Sequence, residues 1–487
     1  MNGAVAFGRL DGGAGCSLIA AAALPDLTAC GYHESEYRAT GAAQRFTESG
    51  AHGVTVVGAD NYATRVAVRR PADDASFNGT VVVEWLNVSS GSDAAPEYTY
   101  LAEEIVRGGF AWVGVSAQFT GVAGGSGSVG GPLTEPGRGL AGHDPERYGG
   151  LYHPGDAYCY DIFGKIGAAL RETVSDGDEH PLSGLTVRQV VAVGESQAAM
   201  TLTTYANRIA QHHGCYDGIL IHSRAAAGTS LGEVGAAIDI NAVFDAEPTT
   251  IRPDLGIPVF IVQTETDVLS NFRFYRARQP DSDTLRTWEI AGTSHADLHQ
   301  IGPYEHVLRC PTPVNRGQQR FVLRSALRHL NRWIDGGDPP PTAPPLELAS
   351  STAAPAFVTD AIGNVTGGVR TPCVDAPTQI LSGIVSVPVP RICALFGSTT
   401  PAPDHELRRR YADAVAYVDA YETATDAAIS AGFVLTEDRA AIMADARPDL
   451  VESLTAHHYD RAGAPWNSPS RTSPAPRSHG APPYTNP

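Results

Sequence analysis

Short runs of apolar and β-branched residues alternate with helix-period segments across residues 81–334, and no other feature of the chain restricts its possible folds so strongly. Val81-Val82-Val83-Glu84-Trp85-Leu86 and Ala111-Trp112-Val113-Gly114-Val115 each read as a strand, and between them Leu101, Ile105 and Val106 recur at helical spacing. Such a strand–helix–strand unit builds parallel sheets, because parallel neighbours must be joined by a crossover. The beat continues with a helix over 161–170, a strand over 189–193 and a helix over 197–211 that places Leu202, Tyr205, Ala206 and Ile209 on one face. Strands over 218–222, 258–263 and 287–290 follow, and a helix over 321–334 buries Leu323, Leu327, Leu330 and Ile334. The expected class is α/β, with a mostly parallel, doubly wound sheet. Residues 31–70 alternate polar and apolar in extended pieces (32–39, 53–57 and 64–68), which predicts antiparallel strands at one edge.

Two glycine- and proline-bearing stretches, 119–154 and 225–258, interrupt the alternation at strand ends, where they are expected to wall a pocket. A proline-rich break over 338–345 closes the series. The expected division is a catalytic core at 31–336, an extension at 337–460 with helices near 404–428 and 437–446, and a Pro/Ser-rich disordered tail at 461–487.

Charge and composition remove several functions. The formal net charge is −18 over 487 residues and the basic residues are scattered singly, so neither nucleic acid nor an anionic membrane is an expected partner. Lys165 is the only lysine, which leaves no material for a Schiff base away from Phe163-Gly164-Lys165-Ile166, a P-loop or a Ser-x-x-Lys pair; three residues after Ser196 stands Ala199. Seven cysteines (16, 30, 159, 215, 310, 373 and 393) include no Cys-x-x-Cys, which argues against a zinc ribbon or thioredoxin-type site. Cys159 and Cys393 read as structural, and the odd total leaves a free thiol or an intermolecular bond. An apolar stretch at 18–24 is preceded by Arg9 and Asp11 and is too short for a signal peptide, and no run approaches the ~20 residues of a bilayer span. A soluble cytoplasmic protein without cofactor or metal is the expectation.

The chemistry concentrates at Gly194-Glu195-Ser196-Gln197-Ala198, placed between the strand over 189–193 and the helix beginning at Gln197. A serine on such a turn is a nucleophile elbow, and it requires small residues two before and two after, which Gly194 and Ala198 provide. The usual second small residue is glycine, so Ala198 departs by one methyl. Serine needs a base, and the last strand runs into Ala291-Gly292-Thr293-Ser294-His295. The base needs an orienting acid: Asp267, just past the preceding strand, is the first choice and Glu265 the second. The oxyanion donors are expected at the amide of Gln197 and at a main-chain amide of Asn87 or Val88. Two other patterns fit worse. Gly125-Ser126-Gly127-Ser128-Val129-Gly130 spells a dinucleotide fingerprint but runs into Gly131-Pro132 instead of a helix. His295, Asp297 and His299 alternate like metal ligands, yet no second cluster completes a shell.

Longer strings carry a resemblance. Val82-Val83-Glu84-Trp85-Leu86-Asn87-Val88-Ser89, His153-Pro154-Gly155-Asp156, Gly194-Glu195-Ser196-Gln197, Gln263-Thr264-Glu265-Thr266-Asp267, Gly292-Thr293-Ser294-His295-Ala296-Asp297 and Gly367-Gly368-Val369-Arg370-Thr371-Pro372 resemble the alpha/beta hydrolase domain-containing family, over about residues 32–458. The resemblance implies an α/β-hydrolase fold with insertions over the active site. It also implies that the extension is an integral part of one unit. The function expected is a carboxylic ester hydrolase acting on a small-molecule ester or related acyl compound through an acyl-enzyme. The alternatives are an acyltransferase or lactone or amide hydrolase using the same residues, and, in another class, a catalytically silent scaffold that binds a ligand.

Overall fold

The computed structural model describes residues 4–15, 18, 24–128, 137–172, 179–349, 355–385 and 388–454; the tail expected at 461–487 lies outside them. Among the described residues one sheet of nine strands dominates: β1 (Ala6–Arg9), β2 (Tyr32–Ser49), β3 (Gly53–Pro71), β4 (Thr80–Trp85), β5 (Ala111–Val115), β6 (Gln189–Glu195), β7 (Gly218–His222), β8 (Val259–Thr264) and β9 (Leu285–Ile290). Their spatial order is β1-β2-β3-β5-β4-β6-β7-β8-β9. Strands β4 to β9 pair in parallel, whereas β1, β2 and β3 join antiparallel.

The central strands are mostly apolar because both of their faces are covered. Side chains alternate: Val81, Val83 and Trp85 of β4 and Val190 and Ala192 of β6 enter one core, while Val82, Val191 and Val193 enter the other. The helix Cys159–Ala169 covers the first face with Ile162, Phe163 and Ile166, and the helices Pro96–Gly108 and Gln319–Ile334 cover the second with Leu101, Ile105, Phe321, Leu327 and Leu330. That is the α/β-hydrolase fold.

Three local features differ from the sequence expectation. The extended pieces of residues 31–70 merge into one long hairpin, β2 with β3, with a register irregularity at Arg45 and Phe46. Strand β1, ahead of the expected core boundary, adds to β2. The helix expected over 197–211 is α-helical only over Gln197–Thr204, then widens to a π turn over Tyr205–Ile209 before a last α turn. Within the widened turn Asn207 reaches outward, donating from Nδ2 to the Thr250 carbonyl at 2.8 Å and accepting from the Arg252 amide at 3.0 Å. The insertion around 250 is thereby pinned to the sheet layer.

Residues beyond the proline break pack on the second core, where Tyr417, Tyr421 and Ile442 lie among the side chains of Gln319–Ile334. Asp438 receives Arg107 at 2.7 Å and Arg324 at 3.0 Å while almost fully buried, so removing both arginines would leave an uncompensated buried charge, at a cost of roughly 3–5 kcal/mol. Val369 continues the sheet beyond β9, accepting from Ala291 N at 3.0 Å and donating to Glu289 O at 2.7 Å. A second hairpin, β10 (Gln379–Ser382) with β11 (Ser398–Pro401), stands beside it. Cys310 and Cys393 form a disulfide, whereas the described Cys30, Cys159, Cys215 and Cys373 are free.

Candidate active site

Strand β6 ends at Glu195 and the helix Gln197–Thr204 begins one residue later, so Ser196 must make the whole reversal. It does so at φ 60° and ψ −118°, a backbone state that costs a residue with a side chain of order 1–3 kcal/mol. A Cβ on Gly194 would come to 3.0 Å from both Ala198 Cβ and Leu202 Cδ1. Glycine at 194 is therefore what lets helix and strand close, and the extra methyl at 198 fits only because 194 has none. The Ser196 amide donates to His222 O at 3.0 Å and Asn87 Nδ2 donates to Glu195 O at 3.0 Å, so both sides of the turn are tied to neighbouring strand ends.

His295 leaves the end of β9 and Asp267 lies on the first turn after β8, which brings both beside Ser196. His295 Nε2 is 2.7 Å from Ser196 Oγ, and His295 Nδ1 is 2.6 Å from Asp267 Oδ1. Thr264 caps the helix Glu265–Leu269 in a reciprocal box with Asp267. The other carboxylate oxygen, Asp267 Oδ2, accepts from Thr264 N at 2.8 Å, Thr264 Oγ1 at 2.7 Å and Ser223 Oγ at 2.7 Å. Burial pushes this carboxyl up, but His295 and the Thr264 donors outweigh it and hold the group below its ordinary range. The Phe272 ring lies against the imidazole, 4.5 Å between centroids.

Glu265, the second-choice acid, points elsewhere. Its Oε1 accepts from Gly292 N at 2.6 Å and its Oε2 from Gly383 N at 2.8 Å, joining the His295 loop to the C-terminal extension. Burial pushes its carboxyl up to about 7 against those two donors. Glu195 is also buried, with Oε1 3.5 Å from His295 Nε2. Burial, then the neighbouring carboxylates of Glu97, Asp267 and Glu84, push its carboxyl well above the carboxylate range.

The oxyanion expectation needs a correction. The Asn87 amide is spent on Ala94 O at 3.0 Å, and the Asn87 side chain is spent on Glu195 O and on the Ser89 amide at 2.7 Å. The loop pairs across itself there, which turns the Asn87 amide away from service. Among the described residues the Val88 amide has no hydrogen-bond partner, and the Gln197 amide, at the first position of its helix, has none within the helix. A cavity of about 390 Å³ opens above Ser196, Gln197 and His295. From the strand ends come Ser89, Met200, Thr266 and Phe272, from the insertion Ile240, Asn241 and Phe244, and from the C-terminal extension Arg391, Ala394 and Leu395.

A family model described as "Alpha/beta hydrolase domain" matches residues 6–444. The chain belongs to this family. No curated protein matches this alpha/beta hydrolase. Solved structures similar to it include a fungal esterase from Rhizomucor miehei (11% identity, 61% of this chain and 85% of that one, TM-score 0.29). A lipase/esterase from Lactobacillus plantarum is another (12% identity, 47% of this chain and 80% of that one, TM-score 0.23). At these scores the likenesses carry no argument about this hydrolase.

Other sequence signals resolve into structure. Asp297 caps a short helix at the Gln300 amide and takes Gln319 Nε2 at 3.0 Å, while His299 faces Thr99 O, so neither joins His295 as a ligand set. Among the described residues Asp161, His212 and His213 come close enough to share an ion, a grouping the sequence reading missed. Its carboxylate is already engaged by His213 Nε2 at 2.9 Å, Lys165 Nζ at 2.8 Å and Gln44 N at 2.7 Å, and an ammonium on that carboxylate disfavours a cation. No helix of the described residues is long and apolar enough to cross a membrane.

Proposed function

We propose that this alpha/beta hydrolase is a carboxylic ester hydrolase that works through an acyl-enzyme on Ser196. The observation that carries the reading is the continuous contact from Ser196 Oγ to His295 Nε2 (2.7 Å) and from His295 Nδ1 to Asp267 (2.6 Å). Ser196 O–H donates to Nε2, and as Oγ attacks the ester carbonyl its proton passes to the imidazole. Asp267 stays ionised, fixes Nδ1–H as the donor and stabilises the imidazolium. The amides of Gln197 and Val88 receive the developing oxyanion. His295 then gives its proton to the departing alcohol, and water repeats the sequence to release the acid.

Ser196→Ala is expected to lower kcat on a short aryl ester by about a millionfold, the scale seen when a triad serine is removed, with an unchanged circular dichroism spectrum. A fluorophosphonate probe is expected to label wild type at Ser196 and to leave the variant unlabelled. Retained turnover in the folded variant would remove Ser196 from the chemistry.

A further inference from the structure

The cavity above Ser196 contains one feature that ester hydrolysis alone does not use. Of the described residues lining it, Arg391 is the single one with a permanent charge. Many arginines of the chain are matched to carboxylates, as Arg65 is to Asp93 at 2.7 Å and Arg278 to Glu289 at 2.6 Å. Arg391 has no carboxylate partner among the described residues. It is nevertheless held in place. Nη1 donates to Asn241 Oδ1 at 3.1 Å, and the guanidinium lies over the Phe244 ring at 5.6 Å. Asp239 orients that asparagine, accepting from its amide at 3.0 Å and from its Nδ2 at 3.3 Å, so Asn241 Oδ1 is left to face the arginine. Two residues further on, Cys393 is bonded to Cys310, which staples the helix Arg391–Leu395 to a separate loop of the core. Arg391 is exposed, and its planar donor fork, steered by Asn241 and the Phe244 ring and with its other N–H groups uncommitted among the described residues, suits a planar anion.

We propose that Arg391 binds a carboxylate on the substrate, so that the preferred esters carry a free carboxylate away from the scissile bond. This rests on the esterase reading of Ser196. A single fork suits a carboxylate better than a phosphate, since only one cation lines the cavity among the described residues and phosphate sites gather several donors. The net charge of −18 opposes any anion at long range, so the preference must come from this local contact. The carboxylate can sit on the acyl side, as in a hemiester of a dicarboxylic acid, or on the alcohol side, as in an ester of a hydroxy acid.

The test measures kcat/KM on two matched pairs. Para-nitrophenyl hemiglutarate is compared with its methyl ester for the acyl side, and O-butyryl glycolate with its methyl ester for the alcohol side. The charged member of at least one pair is expected to be preferred by roughly tenfold or more, and the pair that shows it identifies the side. Arg391→Gln is expected to reduce that preference roughly tenfold, and Arg391→Lys to retain part of it. Calorimetric titration with glutarate, which needs no turnover, is expected to give tighter binding to wild type than to Arg391→Gln. Equal rates within both pairs, a preference that survives Arg391→Gln, or equal glutarate binding would each overturn the assignment. Ser196→Ala separates the two layers of argument: if it still hydrolyses the esters the nucleophile is wrong, whatever Arg391 does to glutarate binding.

Discussion

The floor and the roof of the cavity are built on opposite rules. The floor consists of strand ends, where His295 and Asp267 are buried, Ser196 is half-buried facing the cavity, and most polar atoms are committed: Asp267 Oδ2 alone takes three donors, and Glu265 bridges two glycine amides. The roof consists of the insertion around 240–244 and the helix Arg391–Leu395, where Asn241 and Arg391 are exposed and Phe244 and Leu395 only partly buried. The floor fixes geometry to tenths of an ångström because strand register does so for every residue at once, while the roof is held by a few side chains and one disulfide. On the proposed reading, the chemistry belongs to the floor and the choice of substrate to the roof. Substitutions in the two regions should accordingly separate kcat from KM.

The largest effect that would break this division is expected at Asp267. Asp267→Asn preserves shape but presents an amide donor to His295 Nδ1, favouring the wrong tautomer, and is expected to lower kcat by about ten-thousandfold with little change in KM. Steady-state kinetics on an aryl ester check it, and a loss under tenfold would mean that His295 is oriented by something else. Glu265→Gln lies in the same helical turn, two residues before Asp267, and should behave differently. The folded carboxyl titrates near 7 against an ordinary 4.5, so the folded state holds a proton that the unfolded chain has lost between those pH values. The stability this contributes is fully present below about 4.5 and is lost as pH rises through about 7. Glutamine keeps an acceptor for one glycine amide and cannot titrate. The difference in melting temperature between wild type and Glu265→Gln is therefore expected to shift against wild type from pH 4.5 to pH 7, with kcat changed only a few-fold. A kcat loss at Glu265 rivalling that at Asp267 would reverse their roles.

Much of the floor was legible in the sequence because it follows from period and spacing. The alternation of β4 and β6 and the amphipathic face of Gln319–Ile334 specify a two-faced sheet, and Gly194 and Ala198 announce the turn at Ser196. Asp267 was separable from Glu265 only once the Thr264 capping box was seen, since the box turns one carboxylate inward at position three of the helix and leaves the other at position one. Asn87 misled because a strand exit reads the same whether its amide faces a ligand or pairs across the loop with Ala94. Ser223, at φ 58°, carries no local mark of its role on Asp267. Of the roof, only the placing of 225–258 as a pocket wall was legible, and Ile240, Asn241 and Phe244 come from it. Phe244, Arg391 and Leu395 come from segments with no periodic signal, and the Cys310–Cys393 pairing spans 83 residues, a proximity that no spacing rule encodes.

The smallest expected effect tests the roof by itself. Leu395 lines the cavity with its side chain, while its carbonyl accepts from the Ala296 amide at 3.1 Å, next to His295. Leu395→Ala keeps that main-chain bond and removes only apolar wall, so contact is lost equally from the ground state and the transition state. Uniform loss of this kind raises KM and leaves kcat alone. At about 0.8 kcal/mol per buried methylene, partial loss of contact with an aliphatic acyl chain corresponds to a KM increase of roughly three- to tenfold, larger for longer chains. A series of aryl esters of increasing acyl length reads this directly. If kcat fell in step with kcat/KM, the helix Arg391–Leu395 would be positioning His295 through its contact with Ala296, and the roof would have to be counted as part of the floor.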